Sequence, residues 1–177
     1  NNRMTLEEAI RTAIEYEVKV RDVYLDAVNN ISDTSGQRVV RQLAEEEQGH
    51  VDYLTARLKE WKQAGAVSAE KIPRKVAGPE QMRQEVEKLR ASISKDAGLV
   101  ADKESDIRML ERALEVEQET SDFYQQMVDE LASEHRPMFK HFLEIEKGHL
   151  AIVEAELDSV AQSGYWFGVP EFDVEIG

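Results

Sequence analysis

Glu146-Lys147-Gly148-His149 repeats an earlier stretch, Glu47-Gln48-Gly49-His50. The two Glu-x-Gly-His motifs stand 99 residues apart (149 − 50). On a helix, positions i and i+3 lie about 60° apart, so each Glu and its His project from one face. That face is otherwise apolar: Val40, Leu43, Leu54 and Leu58 surround the first motif, and Phe139, Phe142, Val153 and Leu157 the second. Steps of three and four are those of a core-facing stripe, here with a carboxylate and an imidazole at its middle. One such motif is weak evidence of a site, because helices are rich in Glu. Two on matching stripes point to metal ligation.

The elements that must carry these residues are also duplicated. Thr5-Leu6-Glu7-Glu8 has the form of a capping box and predicts a helix from there to about Asn30. Its inner stripe is Ile10, Ile14, Glu17, Tyr24 and Val28. A polar turn to Gly36 leads to a second helix, about Gln37 to Gln63, ended by Gly65. A third is expected from Asp102 or Ser105 to about Ser133, with Leu110, Leu114, Glu117, Tyr124 and Leu131 inward. The break at Glu134-His135-Arg136-Pro137 starts a fourth, running to about Gln162. The first and third helices match at an offset of 100 (117 − 17), pairing Glu17 with Glu117, Asp22 with Asp122 and Tyr24 with Tyr124. Between the halves, residues 65 to 104 form a long connection. Pro79 is placed to open a short helix there through Met82, Val86, Leu89 and Ile93. The expected architecture is all-α: a four-helix bundle over 1–164 with one long crossover, followed by an aromatic tail over 165–177.

Together the stripes place Glu17, Glu47, His50, Glu117, Glu146 and His149 in one core. Four unpaired carboxylates there would be very costly. Two divalent ions balance their charge, and neutral histidines complete the shell. Carboxylate and imidazole without thiolate suit iron or manganese.

Composition sets the outer bounds. The net charge of −14 argues against nucleic acid or an anionic membrane as the main partner. The chain has no Cys, which excludes disulfides, thiolate catalysis and Cys-held metal. No apolar run approaches the ~20 residues of a membrane span, and no signal-like segment opens the sequence, so a cytoplasmic location is expected.

With these residues in place, the sequence resembles the ferritin-like superfamily of di-iron carboxylate proteins, and within it the rubrerythrin-type branch. That class draws one Glu from each of two helices and a Glu-x-x-His from each of the other two. The resemblance covers roughly residues 5 to 162. It implies two iron ions, Glu47 and Glu146 as bridges, and Glu17 and Glu117 as terminal carboxylates. It also implies reduction of hydrogen peroxide or dioxygen at the iron pair. Many rubrerythrins carry a four-Cys rubredoxin domain, so a chain without Cys implies a separate electron-donor protein. Several also have an extra Glu one turn along the third helix, where this chain has Thr120, with Leu114 and Ala113 one turn earlier. Glu115 and Glu119 lie roughly 200° round the helix from Glu117 and face elsewhere. Ferroxidase and iron storage, a non-catalytic iron-binding or cargo module, and a dimanganese catalase share these ligands.

Of the remaining residues, Tyr24 and Tyr124 read as hydrogen-bond donors to the ligand carboxylates, as redox-active radical sites, or as plain core tyrosines. His135 and His141 read as surface residues. Met82, Met109, Met127 and Met138 read as packing. Tyr165, Trp166 and Phe167 read as an apolar clamp on the bundle or on a neighbouring subunit of a homo-oligomer.

Overall fold

The computed structural model describes residues 3–67 and 102–168, together with the helical position Gln84. Four long helices make up the described part: α1 (Leu6–Asn30), α2 (Thr34–Ala64), α3 (Lys103–Glu130) and α4 (Arg136–Ser163). α1 packs on α2, α3 packs on α4, and α1 also packs on α3. No strand occurs among the described residues. The expected crossover and its short helix, with Met82, fall outside them.

Local chemistry accounts for the helix ends. The Thr5 capping box forms in both directions: Thr5 Oγ1 accepts the Glu8 N–H at 3.2 Å, and the Thr5 N–H reaches Glu8 Oε2 at 3.0 Å. α2 starts three residues earlier than the polar turn suggests, because Asp33 accepts the Gly36 N–H at 2.8 Å and captures Thr34 and Ser35 into the first turn. Asp102 caps α3 through the Ser105 N–H at 3.0 Å. α3 stops at Glu130 rather than Ser133, since Leu131 turns extended and a short 3-10 turn, Ser133–His135, leads into Pro137 at the start of α4. Gly65 and Gly164 close α2 and α4 with φ of 63° and 77°, the left-handed region that side chains disfavour. These two glycines repeat the 99-residue offset (164 − 65) of the Glu-x-Gly-His motifs.

Two apolar clusters fill the core, and every helix crosses from one to the other. In α1, Ile10 and Ala13 belong to one cluster and Val20 and Tyr24 to the other, with Glu17 between them. α2 divides in the same way between Leu43 and Leu54, α3 between Val116 and Phe123, and α4 between Ile145 and Ile152. The polar residues of the inner stripes therefore form one layer across the middle of the bundle. Ile14, Val28, Leu58, Leu114 and Leu157 flank the stripes and are only partly buried. Met127 is buried, and Met109 and Met138 pack on the clusters.

Trp166 is buried on the chain's own bundle, one of the two seats expected for the aromatic tail. Its ring lies over Gly36, where an added Cβ would come within 2.6 Å of Trp166 Cε2. A glycine at this position lets the ring lie on the first turn of α2. Tyr165 and Phe167 are half-buried, and the tail beyond Gly168 lies outside the described residues. Neither His135 nor His141 is a free surface residue. Both are half-buried, and His135 stands edge-on to Trp61 with ring centroids 6.1 Å apart. Among the described residues no helix is long and apolar enough to cross a membrane.

Candidate metal centre

The mid-bundle layer brings all six expected residues together, and all six are buried. They form two sets of four: Glu17, Glu47, His50 and Glu146 in one, and Glu47, Glu117, Glu146 and His149 in the other. Within each set one ligand atom per residue lies within 4.8 Å of the rest. Glu47 and Glu146 belong to both sets.

Both imidazoles turn Nδ1 towards the carboxylates. His50 Nδ1 is 3.5 Å from Glu17, 3.4 Å from Glu47 and 3.4 Å from Glu146. His149 Nδ1 is 3.2 Å from Glu117, 3.4 Å from Glu146 and 2.7 Å from Glu47. The rings are nearly parallel, with centroids 5.9 Å apart. Phe142 meets His50 edge-on at 5.3 Å and stacks on Tyr124.

The tyrosines cross between the halves. Tyr24 donates its hydroxyl to Glu117 Oε1 at 2.6 Å, and Tyr124 donates to Glu17 Oε1 at 2.7 Å. The open choice for these residues thus resolves to hydrogen bonds on Glu117 and Glu17. Burial, followed by the charges of Glu117 on Tyr24 and Glu17 on Tyr124, raises both phenols well above their ordinary values, so each keeps its proton. One oxygen of each terminal Glu is thereby engaged, and Glu17 Oε2 and Glu117 Oε2 accept no hydrogen bond. Neither do the two oxygens of Glu47 or of Glu146.

Unsatisfied buried oxygens facing one another are the strongest sign that the layer is built around cations. Burial, and then the charges of Glu17 and Glu117, raise the Glu47 pKa to about 8. Burial, Glu17 and Glu47 raise Glu146. Burial alone would lower the histidine values. At His50 the charge of Glu17 and the contacts with Glu146, Glu17 and Glu47 together outweigh it, and at His149 the charges of Glu46, Glu146, Glu117 and Glu47 together do, so both rise well above the ordinary imidazole range. In the bare protein, bound protons supply the positive charge. Two divalent ions would replace them, balancing four carboxylates with oxygen and nitrogen donors suited to iron or manganese.

Thr120, one turn beyond Glu117, donates its hydroxyl to the Val116 carbonyl at 2.8 Å and adds no ligand. Glu115 is exposed near Arg112, and Glu119 pairs with Lys19 at 2.9 Å, both away from the layer. A further buried carboxylate does border the site. Glu46 Oε1 lies 3.0 Å from His149 Nε2 and 3.9 Å from His50 Nε2. The sequence reading missed it inside the run Glu45-Glu46-Glu47, which looks like a solvated acidic face. Its signal was the four-residue step to His50, which puts both on one side of α2.

No family model, curated protein or solved structure matches this chain. The chemistry of the centre therefore rests on its own residues.

Proposed function

We propose that this chain is a rubrerythrin-type member of the ferritin-like superfamily. In this reading it holds a carboxylate-bridged pair of iron ions and reduces hydrogen peroxide, with dioxygen as the slower oxidant. The observation that carries the reading is the pair of four-residue sets sharing Glu47 and Glu146. Glu47 and Glu146, common to both sets, would be shared by the two ions, Glu17 and Glu117 would each complete one set, and His50 and His149 would supply the nitrogen donors. A bound ferrous pair would supply the two electrons that, with two protons, reduce peroxide to two waters.

The protein's own groups fix this arrangement. Tyr24 and Tyr124 hold one oxygen of each terminal carboxylate and leave the other for metal. The apolar clusters above and below exclude bulk water, which strengthens every charge interaction in the layer. The residues of this chain include no Cys, so re-reduction of the pair would draw on an electron donor outside them.

Stopped-flow reoxidation of the anaerobically reduced protein tests this, with each oxidant in turn and an iron-loading curve alongside. Faster reoxidation by peroxide than by dioxygen, with loading that stops at two irons per chain, is expected. Rapid dioxygen consumption with loading far beyond two would make the protein a ferroxidase. No turnover with either oxidant would leave a metal-holding module.

A further inference from the structure

The two halves of the centre match residue for residue until the outer nitrogens of the histidines. His149 Nε2 faces Glu46 Oε1 at 3.0 Å. The 99-residue offset that relates His50 to His149 relates Glu46 to position 145, which is Ile145, and Ile145 is buried. His50 Nε2 has no hydrogen-bond partner and lies 3.9 Å from the same Glu46 oxygen. One imidazole thus has a carboxylate behind it, and its counterpart has only a distant one.

We propose that Glu46 makes the two metal positions unequal. The position completed by His149 and Glu117 is the tight one and fills first, and the position completed by His50 and Glu17 is the weak one. The inference rests on the di-metal reading above and adds an order of filling to it.

The physical reason is direct. With Nδ1 on a cation, the ring proton sits on Nε2 and donates to Glu46. That bond fixes the tautomer and the ring plane and pushes electron density towards the metal. Glu46 is itself buried, so its negative charge is poorly screened and favours positive charge on the nearer side of the layer. Outer carboxylates of this kind change metal affinity by roughly 10- to 100-fold. Tyr24 and Tyr124 act alike on Glu117 and Glu17, so Glu46 is the one carboxylate beside the six that distinguishes the two histidines. Glu46 is a positioning residue here, because it touches a ligand and not the metal.

Anaerobic titration of the purified protein with Co(II), followed by calorimetry and the visible Co(II) spectrum, tests the proposal. The native chain should bind in two steps separated by roughly tenfold or more in affinity. His149→Ala should remove the tight step and His50→Ala the weak one. Glu46→Gln keeps the shape and loses the charge. It should weaken the first step roughly tenfold and shift its spectrum, with a clearly smaller effect on the second, whose histidine is 3.9 Å from the same oxygen. Ile145→Glu, which gives His50 its own carboxylate, should tighten the second step, and it reports even if the Glu46 variant is unstable. Two equal steps in the native chain, or equal weakening of both by Glu46→Gln, would overturn the proposal and leave the di-metal centre standing. No binding of Co(II), Fe(II) or Mn(II) at all would overturn both.

Discussion

Buried carboxylates occur in two regions of this bundle, and they are treated in opposite ways. Near the aromatic tail, Asp106 and Glu156 each meet an N–H from the chain itself. Trp166 Nε1 donates to Asp106 at 2.9 Å, and the Phe167 backbone N–H donates to Glu156 at 3.0 Å. In the mid-bundle layer, Glu47 and Glu146 receive no directed hydrogen bond on any of their four oxygens. The tail region gives each carboxylate at least one of the protein's own donors and leaves only Glu156 Oε1 buried without one. The middle layer gathers unpaired oxygens that could hold a metal ion, and the two histidines would add nitrogen donors to it. Acidic residues alone do not mark a metal centre. Acidic residues whose oxygens converge with nothing from the chain between them do.

Four experiments sharpen or break this contrast. Trp166→Ala should have the largest effect, a loss of about 3–5 kcal/mol in unfolding stability, because it vacates a core site and strips Asp106 of its donor. Chemical denaturation measures it; a loss below about 1 kcal/mol would mean that the tail is not part of the fold. Metal should stabilise the middle layer next. At a hundredfold excess over its dissociation constant, each bound ion adds about 2.7 kcal/mol, so melting should shift upward with Mn(II) and fall back with a chelator. The same additions to the Glu47→Ala plus Glu146→Ala chain should move nothing.

A smaller effect distinguishes the tail region by pH. Burial is the main cause that raises Glu156 to about 8; the Phe167 N–H works against it, and Asp33 adds to it. The folded state therefore holds this proton more tightly than the unfolded chain. Its contribution is fully present below about pH 4.5 and is lost as pH rises through about 8. Glu156→Gln keeps a neutral group there, so its stability relative to the native chain should grow across that window and level off above it. A constant difference from pH 5 to 9 would show that Glu156 is already ionised in the fold. The smallest effect belongs to Glu115→Gln and Glu119→Gln, which should leave metal content unchanged while Glu117→Gln loses a metal. Loss with Glu119→Gln alone would place the wrong face of α3 inward.

Much of the layer was legible in the sequence because helical spacing and duplication constrain each other. Glu47 and His50 share a face by their three-residue step, and the same step recurs at Glu146 and His149 at the offset that also relates Gly65 to Gly164. Tyr24 and Tyr124 were visible as inner residues, but their crosswise partners were not. A stripe shows which way a residue points, not which residue of another helix it meets. Glu46 escaped for the same reason, since its closer imidazole is on α4. Asp106 was hidden in the first turn of α3, where an acidic residue is expected for the helix dipole alone. The early start of α2 was missed because Asp33-Thr34-Ser35-Gly36 has the composition of a loop, and only the Asp33 bond to Gly36 reveals a cap.

The central claim is that the mid-bundle layer is a two-metal site, and metal stoichiometry tests it most directly. Elemental analysis of the iron-saturated protein, after removal of free metal, should give two ions per chain. The Glu47→Ala plus Glu146→Ala chain, which lacks both residues shared by the two sets, should retain close to none. A native value near zero, or a variant that keeps its full metal content, would contradict the account.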